Sequence, residues 1–306
     1  MPDGFLNIDK PRGPSSHDIV RLLKKLLIRE RSEKIGHTGT LDPSASGVLV
    51  ICLGRANRLA EYVLQHPKEY IGIIRLGSTT DTLDSKGKIT ETKSIPEFSQ
   101  DMLDEIAEKF MGRIMQIPPV ISALKINGER YYVKARRGET FEPPPRATTV
   151  YNLKLERKDG ENIVLRVKCA SGFYVRSLAR DIASALGTVG HLHELVRTSV
   201  GGFNLQDAIT PEQIEIGGSE FVSKRIYTTD FPMDLLNRIQ IPRNLVHRFL
   251  LGQILTLETG EYEIGVDSAI YFENMFLGVG IMESGENGHA LRPKKVIARI
   301  EELSGL

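Results

Sequence analysis

The sequence predicts an α+β fold: a mixed, mainly antiparallel sheet flanked by helices, followed by a small β-rich C-terminal unit. Three observations predict it. Strand-like and helix-like periodicities mix along the chain without a regular βαβ alternation. Tyr151, Leu153 and Leu155 alternate with polar residues, as do Ile163, Leu165 and Val167, and Lys158-Asp-Gly160 between them reads as a hairpin turn. After about residue 235 the chain breaks into short strand-like runs separated by glycines.

Taken in order, Phe5–Ile8 is a short strand entering the turn Lys10-Pro-Arg-Gly-Pro14. Ile19, Leu22, Leu23, Leu26 and Leu27 recur at helical spacing, with Ser15 and Asp18 placed as a cap. Arg21, Lys24 and Lys25 read as the solvated face of that helix. Val48–Leu53 and Ile163–Ala170 are apolar strand-like runs, and each carries one of the two cysteines, Cys52 and Cys169. Both read as buried free thiols, since two cysteines make neither a disulfide framework nor a zinc site. Tyr70–Leu76 is a further strand. Ser99 caps a helix with Met102, Leu103, Ile106 and Phe110 on one side, and Gly112 stops it. Another helix spans Ser177–Leu186 and ends at Gly187. The last part holds a helix, Arg243–Leu251, and the runs Gln253–Leu257, Ala269–Phe272 and Phe276–Ile281. The expected division is a domain over 1–235 and a second over 240–306.

Composition narrows the function classes. The 306 residues are 41% apolar and 26% charged, with a net charge of +1. That balance excludes a generally basic histone-like binder but leaves room for a local RNA-binding patch. No apolar stretch approaches the ~20 residues of a membrane helix, and no apolar signal segment opens the chain. A cytoplasmic, reducing setting is expected, with no membrane.

Four stretches bear on chemistry. In Gly36-His-Thr-Gly-Thr-Leu-Asp-Pro43, polar side chains crowd a turn that runs into an apolar strand. Asp42 there is either a turn-forming residue or a reactive acid, and taken alone Leu-Asp-Pro favours the turn. No nucleophile elbow surrounds Ser44 or Ser46, and no phosphate loop follows. In Tyr174-Val-Arg176, two residues apart, a ring and a fixed cation face one side if the segment is extended. Binding a planar anionic ligand and plain packing are equally open there. From Lys125 to Arg146 there are six Lys/Arg and three Glu, interleaved with Tyr131, Tyr132 and Phe141, a mixture that suits RNA or a solvated loop. His191-x-His193 has no acid or cysteine at metal spacing, and Leu192 and Leu195 beside it suggest a helix, so no metal is expected.

Together the ordered motifs resemble the TruB family of tRNA pseudouridine synthases. They are Asp9-Lys-Pro-Arg-Gly13 with Ser15-Ser16, the Gly36–Pro43 stretch, Lys68-x-Tyr70, Gln116-x-Pro-Pro with Ser122-Ala-x-Lys125, Tyr174-Val-Arg-Ser-Leu178, and His191-Leu-x-x-Leu195-x-Arg197-Thr198 with Gly202-Phe203. Asn57 and Phe173 stand where the family often has Thr. The resemblance implies the pseudouridine synthase fold and isomerisation of uridine 55 in the tRNA T-loop, without cofactor. It implies that Asp42 is the catalytic aspartate, that Tyr70 stacks on the target uracil and helps remove its proton, and that Arg176 pairs with Asp42. By the same likeness His37 helps extrude the base, Lys10 supports the site loop, and Tyr174 and Leu195 line the pocket. Lys125, Arg136 and Arg137 would grip tRNA from an insertion over 125–146. The C-terminal unit resembles a PUA-type RNA-binding domain, and Arg292-Pro-Lys-Lys295 is either a phosphate contact or a solvated tail. The expected partner is tRNA, bound by a monomer with no obligatory protein partner. Two other readings compete: a guide-RNA-dependent synthase like dyskerin, and an RNA-folding protein without essential catalysis.

Overall fold

A computed structural model describes residues 3–27, 34–121, 125–126, 129–130, 143–257, 260–285 and 288–305, with backbone alone at 125–126, 129–130, 288 and 303–305. The strands, in chain order, are β1 (Gly4–Lys10), β2 (Ile35–Thr38), β3 (Ser46–Leu53), β4 (Lys68–Leu76), β5 (Ser78–Thr80), β6 (Ile89–Thr92), β7 (Gly112–Gln116), β8 (Lys125–Ile126) and β9 (Glu129–Arg130). Then come β10 (Arg146–Arg157), β11 (Asn162–Cys169), β12 (Gly190–Val200), β13 (Phe203–Asn204), β14 (Asn237–Gln240), β15 (Leu255–Leu257), β16 (Asp267–Phe272), β17 (Met275–Gly285) and β18 (Gly288–Val296).

The main sheet has nine strands and runs β1-β3-β12-β4-β11-β10-β7, with β2 beside β3 and β13 beside β12. Its pairs are antiparallel except for β12 against β3, where Val196 faces Ser46 and Arg197 faces Gly47. This parallel join lies at the candidate site. β3 is buried on both faces, which explains its unbroken apolar run Val48–Leu53. Leu49, Ile51 and Leu53 pack with Leu6 and Ile8 under the helices Ser16–Leu27 and Pro211–Ser223. Val48, Val50 and Cys52 face the other way, into the C-terminal part of the chain. The helices Gln100–Lys109 and Val175–Ala185 cover β4, β10, β11 and β12 through Ile74, Leu155, Leu165 and Leu192. Each fully buried aliphatic side chain stabilises the fold by roughly 1.5–3 kcal/mol.

Several expected elements stand as read. Ser15 and Asp18 exchange hydrogen bonds at the first helix, with Ser15 N–H to Asp18 Oδ2 at 2.9 Å. The Ser99 hydroxyl accepts from Met102 N–H. The β10–β11 hairpin turns where Asp159 Oδ1 accepts from Glu161 and Asn162 N–H. Both thiols are buried and free, and burial pushes each up to about 12. Among the described residues no helix is long and apolar enough to cross a membrane.

Others are corrected. Met102 is 42% exposed, while Leu103 and Ile106 bury. Tyr151 points outward because a β-bulge between Val150 and Asn152 shifts the alternation, so Val150 buries in its place. The helix read as starting at Ser177 begins at Val175, and Ser177 is buried with its hydroxyl donating to Ile117 O at 2.7 Å. The residues around Leu192 and Leu195 form β12, not a helix.

The C-terminal part forms its own sheet, β14-β16-β17-β18-β15, with the helix Arg243–Leu250 against it. Ala269, Tyr271, Phe276, Val279 and Ile297 complete the cluster containing Val48, Val50 and Phe5. Polar contacts seal this seam. Arg55 donates to Ile297 O at 2.7 Å, and the Tyr62 hydroxyl to Asp267 Oδ2 at 3.0 Å. The basic run is folded into β18 and paired with acids. Arg292 pairs with Glu283, Lys294 with Asp267 and Lys295 with Glu61.

Candidate active site

The Asp42 turn bridges β2 and β3. It is closed by Ala45 N–H donating to the Asp42 carbonyl at 3.0 Å, so the turn uses the backbone of Asp42. The carboxylate is 43% exposed and instead meets Arg176, with Nη2 to Oδ2 at 3.1 Å. Arg176 lies in the first turn of its helix, not in an extended segment beside Tyr174. Its guanidinium is mostly buried. Nη1 donates to Thr82 O at 3.0 Å and Nη2 to Ile121 O at 3.2 Å, which fixes the plane of the group.

A second acid stands behind this pair. Asp84 Oδ2 lies 3.8 Å from Arg176 Nη1. Its Oδ1 accepts from the Thr82 hydroxyl at 2.7 Å and from Lys86 N–H at 3.0 Å. Leu83 just before it adopts φ +59°, a strained backbone for a branched side chain. Leu192 N–H donates to Leu83 O and Ser85 N–H to Leu192 O, so β12 holds the loop in that shape. Arg176 thus sits between two carboxylates, at 3.1 Å from Asp42 and 3.8 Å from Asp84.

Tyr70 and the buried Arg197 face each other across β4 and β12 beside the Asp42 loop. Burial raises the Tyr70 pKa, with Arg197 opposing, so the ring stays uncharged at neutral pH. Arg197 also donates from Nε to Val48 O at 2.7 Å and from Nη2 to Gly39 O at 3.3 Å. Gly47 allows this approach. It has φ +102°, and a Cβ there would fall 2.2 Å from Arg197 O.

Lys10 is fully buried beneath the loop, donating to Pro11 O and Pro14 O at 2.9 Å each. Burial lowers its pKa to about 8, although Asp42 pulls the other way. His37 lies edge-on to His17, ring centroids 5.9 Å apart. Burial, then His17 and Arg197, lower its pKa, which keeps the imidazole neutral, and its buried Nδ1 meets no partner among the described residues. The Tyr174 backbone is held by Gln116, whose amide accepts from Tyr174 N–H at 2.8 Å and donates to Tyr174 O at 2.9 Å. Leu195 lines the pocket with Asp42, Asp84, Arg176, His193 and Glu194, around a free space of only about 10 Å³. That space suits a single water, not a uracil ring.

The structure therefore gathers Asp42, Arg176 and Leu195 around one pocket, with Tyr70, Lys10 and His37 joined to it through Arg197 and the loop. Arg136 and Arg137 lie outside the described residues, and Lys125 is described in its backbone alone. The sequence reading missed Asp84, and it gave Arg197 no role. Asp84 sits in the polar turn-forming run Asp81-Thr-Leu-Asp-Ser85, and Arg197 is a cation at a buried position of β12. His191, read as a candidate metal ligand, bonds Ser78 O through Nδ1 at 2.8 Å. Among the described residues no group of three His, Cys, Asp or Glu could hold a metal ion.

Comparison with known proteins bears on this geometry. The profile of the TruB family pseudouridylate synthase N-terminal domain matches residues 24–175, and that of the tRNA pseudouridylate synthase B C-terminal domain matches 176–217. A curated relative, tRNA pseudouridine synthase B of Caldanaerobacter subterraneus subsp. tengcongensis, is 40% identical over 299 residues, covering 96% of this chain and 99% of its own. The chain belongs to the TruB family. The enzyme of the same name from Francisella tularensis subsp. novicida is 45% identical over 214 residues, 70% of each chain. Among solved structures, a chain of a Cbf5-Nop10-Gar1 complex matches with TM-score 0.75 and 27% identity, covering 97% of this TruB-family chain and 86% of that one. A chain of an H/ACA RNP bound to a substrate RNA containing 2'-deoxyuridine matches with TM-score 0.73 and 25% identity, covering 97% and 85%. These neighbours share the pseudouridine synthase fold.

Proposed function

We propose that this TruB-family chain isomerises uridine 55 in the T-loop of tRNA to pseudouridine, with Asp42 as the catalytic aspartate. The observation that carries the reading is the 3.1 Å pairing of a half-exposed Asp42 carboxylate with Arg176, on a turn that the Asp42 backbone already closes. In the reaction the N1–C1′ bond breaks and a C5–C1′ bond forms. C5 loses a proton and N1 carries one in the product. The balance needs no oxidant, reductant or group donor. Asp42 either attacks as a nucleophile or takes the proton that starts elimination, and both roles use a carboxylate that Arg176 holds in place at 3.1 Å.

Tyr70 offers an uncharged ring to the detached uracil and assists loss of the C5 proton. Neutral His37 would help extrude the base. Leu195 lines the pocket, Tyr174 would line it around the entering base, and Lys10 props the Asp42 loop from below. Flipping the uridine costs about a few kcal/mol, and the tight pocket requires its lining to open as the base enters. Lys125, Arg136 and Arg137 would grip the tRNA backbone. Residues 1–235 carry the chemistry in this reading, and residues 240–306 form a PUA-like RNA-contacting domain of a cytoplasmic monomer.

The guide-dependent alternative draws on the Cbf5 likeness at 27% identity, whereas the relative named for tRNA is 40% identical along nearly the whole chain. The deciding experiment incubates the pure protein with unmodified tRNA transcript and maps pseudouridine. Product at position 55 without guide RNA is expected, and product only after adding a guide would overturn the reading.

A further inference from the structure

The loop bearing Asp42 is held by its carbonyls, one after another. Ser16 Oγ donates to Leu41 O at 2.9 Å, Ala45 N–H to Asp42 O, and Gly13 N–H to Pro43 O at 2.8 Å. The next carbonyl, Ser44 O, accepts from Arg12 Nε at 3.0 Å. Only this last contact is made by a side chain that also reaches the opposite wall. There Arg12 Nη2 donates to His193 O at 3.2 Å and Nη1 to Glu194 Oε1 at 3.3 Å. His193 occupies a β-bulge between Leu192 and Glu194, which breaks the ladder with β4 at that residue. Ser44, His193 and Glu194 all line the pocket that holds Asp42. One guanidinium therefore spans the pocket mouth from the catalytic loop to β12.

We propose that Arg12 is a positioning residue, which ties the two lips of the Asp42 pocket together and sets the place of the carboxylate for the chemical step. The inference rests on the reading of Asp42 as catalytic. Arg12 makes no contact with Asp42 itself and acts through Ser44. Three separate N–H groups point at three acceptors, a task a lysine ammonium cannot perform from one point. Arg12 is about half exposed, so its loss leaves the core intact while the loop gains freedom. A small misplacement of a reacting group costs up to about a hundredfold in rate.

The test measures single-turnover pseudouridine formation and tRNA affinity for Arg12→Ala, Arg12→Lys and Glu194→Gln. Arg12→Ala should slow the bound reaction by roughly ten- to a hundredfold, with affinity, its salt dependence and the melting temperature unchanged. Added guanidinium should restore part of the rate. Arg12→Lys should recover little, and Glu194→Gln, which keeps both carbonyl acceptors, should lose less than Arg12→Ala. If Arg12→Ala instead weakens tRNA binding and flattens its salt dependence at a normal bound rate, Arg12 is a phosphate contact and the proposal falls. A wild-type rate and affinity also overturn it. An active Asp42→Asn variant would sink the catalytic reading itself, a result distinct from either outcome.

Discussion

Replacing Arg176 with lysine keeps the charge and removes the fork. The guanidinium bonds Asp42, Thr82 O and Ile121 O and lies near Asp84. Lysine can serve one or two of these partners from a single point. Bonds from a charged donor contribute about 1.5–3 kcal/mol each. Two are lost, and the exposed Asp42 end is discounted for solvent screening. A loss of roughly 3 kcal/mol in the positioned state follows, or about a 150-fold slower chemical step. The assay is single-turnover release of tritium from C5 of uridine-labelled tRNA, because the new carbon–carbon bond displaces that hydrogen. Affinity for tRNA should hold, and the melting temperature should fall by a few degrees because Asp84 is mostly buried and keeps only a poorly matched partner. A rate within threefold of wild type, in a folded protein, would refute the view that the guanidinium geometry places Asp42.

Three further outcomes are expected. Lys10 has a folded pKa of about 8 against 10.5 for the free side chain, so between those values the unfolded chain binds more protons and stability rises with pH. The urea midpoint of wild type should therefore gain on that of Lys10→Met as pH rises from 8 to 10.5, with a constant difference below 8; a wild-type midpoint that falls relative to Lys10→Met over that window contradicts a desolvated lysine. Removing residues after 240 strips Ala269, Tyr271, Val279 and Ile297 from the cluster around Val48 and Val50, so the truncated chain should aggregate or lose cooperative melting, and a soluble, sharply melting fragment would show the seam to be dispensable. Neutralising Arg136 and Arg137 should weaken tRNA binding and reduce the salt slope by up to about two phosphate contacts, as read by filter binding from low to moderate salt; an unchanged slope would remove both residues from the interface.

Local patterns told much of this fold and fewer of its junctions. The Ser15–Asp18 and Ser99 caps, the Asp159 turn and the apolar run of β3 each carry their own signal, because the residues that cause them are neighbours in sequence. The bulge at Val150 and the start of the helix at Val175 depend on partners far along the chain, the latter on Gln116 gripping Tyr174. Leu192 and Leu195 fit a helical period, yet β4 pairs with that segment along its length and overrides it. The site divides in the same way. The pairing of Asp42 with Arg176 is legible in motif order, whereas Asp84 meets Arg176 across 92 residues and only in three dimensions. Arg292, Lys294 and Lys295 looked free in sequence because Glu283, Asp267 and Glu61 come from other strands and a distant helix.

The most direct test of the account is Asp42→Asn. Asparagine keeps the size and turn-forming capacity of aspartate, and the turn is closed by the Asp42 backbone in any case. The measurement is single-turnover pseudouridine formation at saturating enzyme, alongside filter-binding affinity and a melting curve. The account predicts a rate lower by many orders of magnitude, with near-normal tRNA affinity and an intact fold. Substantial turnover in a folded, tRNA-bound Asp42→Asn variant would contradict it and leave Asp42 as a residue of the turn.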